Sequence, residues 1–157
     1  MRVCMVTSEL APFCGWGVGT SVGALASALA RAGHEVTLLA PDHPRLRERF
    51  ADVYPHLRLV IQPEPARPCL PAPEVARSLA VYESLKSIHA DRPQDLVLFN
   101  AFLGDGYVSI TQRASCEALP GAVLGVQLHC PLSIIHAENG HVHWDHALAA
   151  IEHMELV

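Results

Sequence analysis

The chain has 157 residues, a formal net charge of −5 and a single lysine, Lys86, which excludes nucleic acid or an anionic membrane as a main partner. Half of the residues are hydrophobic and 17% are charged, enough for one domain with a full core and too apolar for a disordered or coiled-coil chain. No apolar run approaches the ~20 residues that span a bilayer, and the opening MRVCMVTSE meets Glu9 too soon for a secretory signal.

In chain order, an apolar run at Val3–Thr7 predicts a strand. The stretch SELAPFCGWGVGTSVGAL, residues 8–25, then leads into a helix over Thr20–Ala32 that Gly33 stops as a C-cap. Strands are expected at Glu35–Ala40 and Leu57–Gln62. PEPARPCLPAP, residues 63–73, holds five prolines and reads as an extended loop. A helix over Glu74–His89 and a strand at Asp95–Asn100 follow. A third helix, Tyr107–Leu119, ends before Pro120-Gly121, with a strand at Ala122–Leu128 and a last helix from about Trp144 to the chain end. Nearly continuous apolar strands alternating with helices predict an α/β fold. It is an open parallel sheet of Rossmann type with helices on both faces. Cys4, Cys14, Cys69, Cys116 and Cys130 are scattered without a C-x-x-C pair. They fit a reducing compartment, so a soluble cytoplasmic protein is expected.

Ligands of such sheets sit beyond the carboxyl ends of the strands, near the point where strand order reverses. That rule selects Ser8 and Glu9, Asp42 and His43, Asn100, and His129. The glycines at Gly15, Gly17, Gly19 and Gly23 suggest a phosphate approaching backbone N–H groups. A dinucleotide fingerprint fails, because counting from Gly15 puts Thr20 in the slot of the third glycine and counting from Gly17 puts Val22 there. A phosphate-loop NTPase is excluded by the lack of Gly-Lys-Ser/Thr.

The segments MRVCMVTSELAPF and GVGTSVGALASALARAGHEVTLLAP resemble the amino terminus of glycogen and starch synthases and of the family-four glycosyltransferases. These share the GT-B architecture, in which two Rossmann-like domains face each other across a cleft. The resemblance continues more loosely through DLVLFNAFLGDGYVSI and GVQLHCPLSIIHAENG. It implies the acceptor-side half of a retaining transferase that moves a sugar from a nucleotide-sugar donor to an unidentified acceptor. The glycine segment Trp16-Gly17-Val18-Gly19-Thr20 would bind the donor's distal phosphate, at a helix amino terminus whose dipole favours an anion. Trp16 stands where the family has the first glycine of a pair. Three roles are open to its indole: narrowing the site, stacking on a sugar, or covering the cleft. The lysine that glycogen synthases carry before that pair and the aspartate of their Gly-Leu-Ala-Asp are absent, so the resemblance leans to family four. His129 matches the cleft histidine, implying a catalytic role beside the transferred sugar, and Asn100 implies a weaker contribution to acceptor binding. No metal or other cofactor is implied on this chain.

One competing motif is HVHWDH, in which His141, His143, Asp145 and His146 match the zinc signature of metallo-β-lactamase-type hydrolases. That fold needs further ligands downstream, and eleven residues remain after His146. A non-catalytic binding module is a third reading. On the resemblance, residues 1–157 form the N-terminal domain, truncated before its last strand, and the C-terminal nucleotide-sugar-binding domain is absent. A sheet edge left bare would let two copies pair as a homodimer.

Overall fold

Five apolar runs become five strands in the computed structural model. It describes residues 1–15, 17–65, 73–113 and 119–129, together with 134, 138, 139, 149, 151 and 153–155. The strands are β1 (Arg2–Val6), β2 (Glu35–Pro41), β3 (Arg58–Gln62), β4 (Leu96–Asn100) and β5 (Val123–Gln127). All neighbours pair parallel, in the order β3-β2-β1-β4-β5. Strand order therefore reverses between β1 and β4, and the crevice beyond their carboxyl ends is the ligand position of this architecture.

Successive side chains of a strand point to opposite faces, and the core divides accordingly. Val3 and Met5 of β1 join Val36, Leu38 and Ala40 of β2 on one face. Val22 and Ala26 of α1 (Gly17–Arg31) and Leu46 and Phe50 of α2 (Pro44–Val53) cover that face. Cys4 and Val6 turn to the other face with Leu39, Val97 and Phe99, under Val81, Leu85 and Ile88 of α3 (Pro73–Asp91). Ile110 of α4 (Tyr107–Arg113) packs at its margin. Both faces are covered, which is why the strands read as apolar runs rather than alternating ones.

The Gly33 stop is a Schellman ending. Gly33 has φ +88, its N–H donates to Ala30 O at 3.0 Å, and His34 N–H donates to Leu29 O at 3.1 Å. Sequence reasoning passed over α2. Half of its PRLRERFADV is charged, and it buries only Leu46 and Phe50, four residues apart on one face. The signal that finds it is Pro44 at the first helical position. A short 3₁₀ turn, Phe102–Gly104, was missed as well. The proline-rich loop from 66 to 72, the end of the third predicted helix at 114–118, and most of the predicted last helix lie outside the described residues.

His89, 7% exposed, ties the end of α3 to the start of β5. Gln94 N–H donates to its Nδ1 at 3.1 Å, so Nε2 carries the proton and donates to Pro120 O at 3.1 Å. Among the described residues no helix is long and apolar enough to cross a membrane.

Candidate functional site

Three chain segments meet at the reversal point. Asn100 closes β4 and is 3% exposed. Its Nδ2 donates to Val6 O of β1 at 2.9 Å. That bond turns Oδ1 toward His129, just past β5, whose Nε2 lies 3.0 Å away. A carboxamide oxygen only accepts, so Nε2 bears the hydrogen and Nδ1 is left as an acceptor. In the neutral ring, then, Nδ1 is the nitrogen that presents a lone pair. Asn100, expected to contact the acceptor, is buried with both ends of its amide engaged. In this arrangement Asn100 supports His129 from within the sheet.

Gln127, two residues before His129, donates through Nε2 to Ser21 Oγ of α1 at 3.2 Å and so ties β5 to α1. Its Oε1 and the Oγ of Ser8 are buried with no hydrogen-bond partner among the described residues. Of the other carboxyl-end candidates, Asp42 is held in a bidentate pair by Arg47, at 2.5 and 2.9 Å. That hydrogen bond lowers its pKa. His43 is the N-cap of α2. A cavity of about 270 Å³ opens at the carboxyl ends of β2 and β3, among Pro41, Asp42, Gln62, Glu64, Glu74 and Arg77. Cys4 is fully buried, which pushes its thiol up to about 12. It is a hydrophobe, not a nucleophile.

The glycine segment differs from the loop expected. α1 begins at Gly17, so Gly17, Val18, Gly19 and Thr20 form its first turn rather than a loop before it. The first-turn N–H groups have no helical carbonyl within reach, and those of Gly17, Val18 and Gly19 fall there. Three of the four glycines have packing reasons. A Cβ on Gly15 (φ +86) would stand 2.3 Å from Glu9 Cβ, and one on Gly19 would stand 3.0 Å from the backbone nitrogens of Leu10 and Ala11. A Cβ on Gly23 would meet the Tyr54 hydroxyl at 2.2 Å. Gly17 alone of the four has nothing within 4 Å, so its lack of a side chain keeps open space at the helix start. Trp16 lies outside the described residues, as do His141, His143, Asp145 and His146. Among the described residues no three potential metal ligands gather.

The sequence matches the family described as the starch synthase catalytic domain over residues 2–137. That is the family whose lysine and aspartate the glycine segment lacks. No curated protein matches. Among solved structures, sucrose-phosphate synthase from Thermosynechococcus elongatus is similar with a TM-score of 0.66 at 16% identity, over 99% of this chain and 40% of that one. The calicheamicin glycosyltransferase is similar with a TM-score of 0.57 at 15% identity, over 96% of this chain and 40% of its own. The glycotransferase of kitacinnamycin gives 0.53 at 16% identity, over 96% and 37%. These likenesses show the fold, the Rossmann-like α/β domain of GT-B glycosyltransferases. The chain spans about two-fifths of the length of these structures. An open parallel sheet in this family does not favour the metallo-β-lactamase reading.

Proposed function

Because this chain belongs to the starch synthase catalytic-domain family, we propose that it forms the acceptor-side wall of a retaining glycosyltransferase cleft, with a nucleotide sugar as donor. One observation carries the reading. The first turn of α1, open at Gly17, and the His129–Asn100 pair occupy the same reversal point of the sheet. In this reading the N–H groups of Gly17, Val18 and Gly19 hold the distal phosphate, where the helix dipole favours charge that builds on the leaving diphosphate. His129 Nδ1 accepts a hydrogen bond from a hydroxyl of the transferred sugar and so orients the ring. The second wall, gripping the nucleotide, comes from a second Rossmann-like domain.

Positioning donor and acceptor in one water-poor cleft supplies a large part of such a rate. The 157-residue chain alone is therefore expected to bind sugar nucleotides at millimolar dissociation constants or weaker, ~4 kcal/mol or less, and to transfer no sugar. Calorimetry and a donor-hydrolysis assay over a panel of sugar nucleotides test this. Micromolar binding or turnover by the chain alone would move the donor site to this half.

Gly17→Val probes the phosphate contact. Nothing lies within 4 Å of the missing Cβ, so the thermal midpoint should stay within a few degrees, a shift of ~1 kcal/mol or less. Donor KM in the two-domain enzyme should rise at least about tenfold, the cost of displacing one close charge-assisted contact. Unchanged donor kinetics would remove this turn from the mechanism.

A further inference from the structure

The turn that precedes α1 is held from outside. Leu10 N–H donates to Cys14 O at 3.0 Å, and Phe13 and Cys14 N–H both donate to Leu10 O at 2.9 Å, closing a tight loop over residues 10–14. This loop lies on the first turn of α1 where Gly19 has no side chain. Its outer side is reached by Tyr54, the C-cap of α2, whose hydroxyl donates to Ala11 O at 2.6 Å across 43 residues of sequence. The ring meets Phe13 edge-on at 6.4 Å and leans on Phe50 at 5.5 Å. The hydroxyl gets there only because Gly23, one turn beyond Gly19 on the same helix face, leaves a notch for it. Burial raises the pKa of the Tyr54 hydroxyl, so it stays a donor through neutral and mildly alkaline pH.

We propose that Tyr54, seated in the Gly23 notch, is a positioning residue that latches the Leu10–Cys14 turn and thereby fixes where α1 begins. Its bearing on ligands rests on the phosphate reading above. The latch itself does not. α2 stands far from the reversal point in sequence, yet through this one hydroxyl it sets the place of the Gly17–Gly19 amides.

The test is a two-residue cycle in the 157-residue chain, followed by amide hydrogen exchange and amide chemical shifts. Tyr54→Phe keeps the ring and loses the bond to Ala11. Exchange at Phe13 and Cys14 should quicken about tenfold, the loss of one part-buried hydrogen bond. The Gly17–Gly19 amide shifts should move, and the core amides of Leu38 and Val97 should not. Gly23→Ala drives a methyl into the hydroxyl and should quicken the same amides at least as much. In the Tyr54→Phe background the nearest remaining atom is the ring carbon at 3.1 Å rather than the oxygen at 2.2 Å, so Gly23→Ala should add less than about twofold there. Exchange unchanged by Tyr54→Phe, or Gly23→Ala costing the same in both backgrounds, would overturn the latch. Inorganic pyrophosphate is the ligand probe, expected to bind three- to fivefold more weakly to Tyr54→Phe. If pyrophosphate moves no amide of the unmodified chain, the phosphate reading falls, and exchange still decides the latch.

Discussion

Arg77→Met should cost about 3–5 kcal/mol of folding stability at neutral pH, because it strands a buried carboxylate. Asp105 is 1% exposed and receives Arg77 Nε at 2.8 Å, while Arg77 Nη2 donates to Leu103 O at 2.9 Å. Ser78 Oγ donates to Asp105 O at 3.0 Å and accepts from Val108 N–H at 3.0 Å, so the bend after β4 is tied to α3 at several points. Leu103 takes φ +64 inside that bend, a conformation that a leucine holds only when its surroundings impose it. Burial raises the Asp105 pKa, and the Arg77 guanidinium opposes the rise without cancelling it. An acid whose folded pKa is raised supports folding most below its unfolded value, and that support is lost as pH rises through the folded value. Without Arg77 the rise is larger. The penalty of Arg77→Met should therefore be small near pH 4 and reach full size toward pH 7. Urea titrations at both pH values test this, with Arg77→Met/Asp105→Asn expected to recover most of the loss. An equal loss at both pH values would assign the effect to packing rather than charge.

His129→Ala, in the two-domain enzyme that the proposed function describes, should lower kcat/KM for sugar transfer about 10²-fold, close to 2.7 kcal/mol of transition-state stabilisation. The Asn100 amide holds the ring through Nε2, which leaves Nδ1 of the neutral imidazole to accept, and alanine removes the ring while leaving the Asn100–Val6 bond in place. Folding stability should fall by about 1–3 kcal/mol, because the buried Asn100 Oδ1 loses its donor although His129 itself is only half-buried. His129→Gln keeps one donor for Asn100 and one acceptor for the sugar, and should recover part of the rate. An alanine variant within twofold of the unmodified enzyme would take His129 out of the reaction.

The sheet was legible because its central strands are buried on both faces, and Val3–Val6 and Leu96–Phe99 read as unbroken apolar runs, with Val36–Ala40 broken only by Thr37. Gly33 announced the end of α1. Its start was less plain: Gly17 and Gly19 are poor helix formers, so composition pointed to Thr20, whereas the chain turns helical three residues earlier. The carboxyl-end rule brought out Asn100 and His129, but not their relation. One of them sits behind the other, a fact of side-chain direction that no spacing carries. Tyr54 escaped notice for the reason α2 did. It belongs to a charged stretch whose single buried stripe is two residues long, and its partner Gly23 looked like part of a phosphate-binding glycine series. Gly15, Gly19 and Gly23, four apart, mark places where another part of the chain comes close, whereas Gly17, between them, faces open space.

The seam between β1 and β4 has a consequence for the order in which the molecule can assemble. β1 finds β2 through α1, a local right-handed unit that the first forty residues can form. The Asn100–Val6 bond instead closes a loop of 94 residues, at an entropic cost on the order of 4 kcal/mol beyond the fixed term. Non-local pairings of this kind are paid for before they are rewarded, so the crevice at the reversal point is expected to close after the β1–α1–β2 unit, with His129 joining through Asn100. A nascent chain can carry a well-formed α1 and β2 and still present no site until residue 129 has left the ribosome.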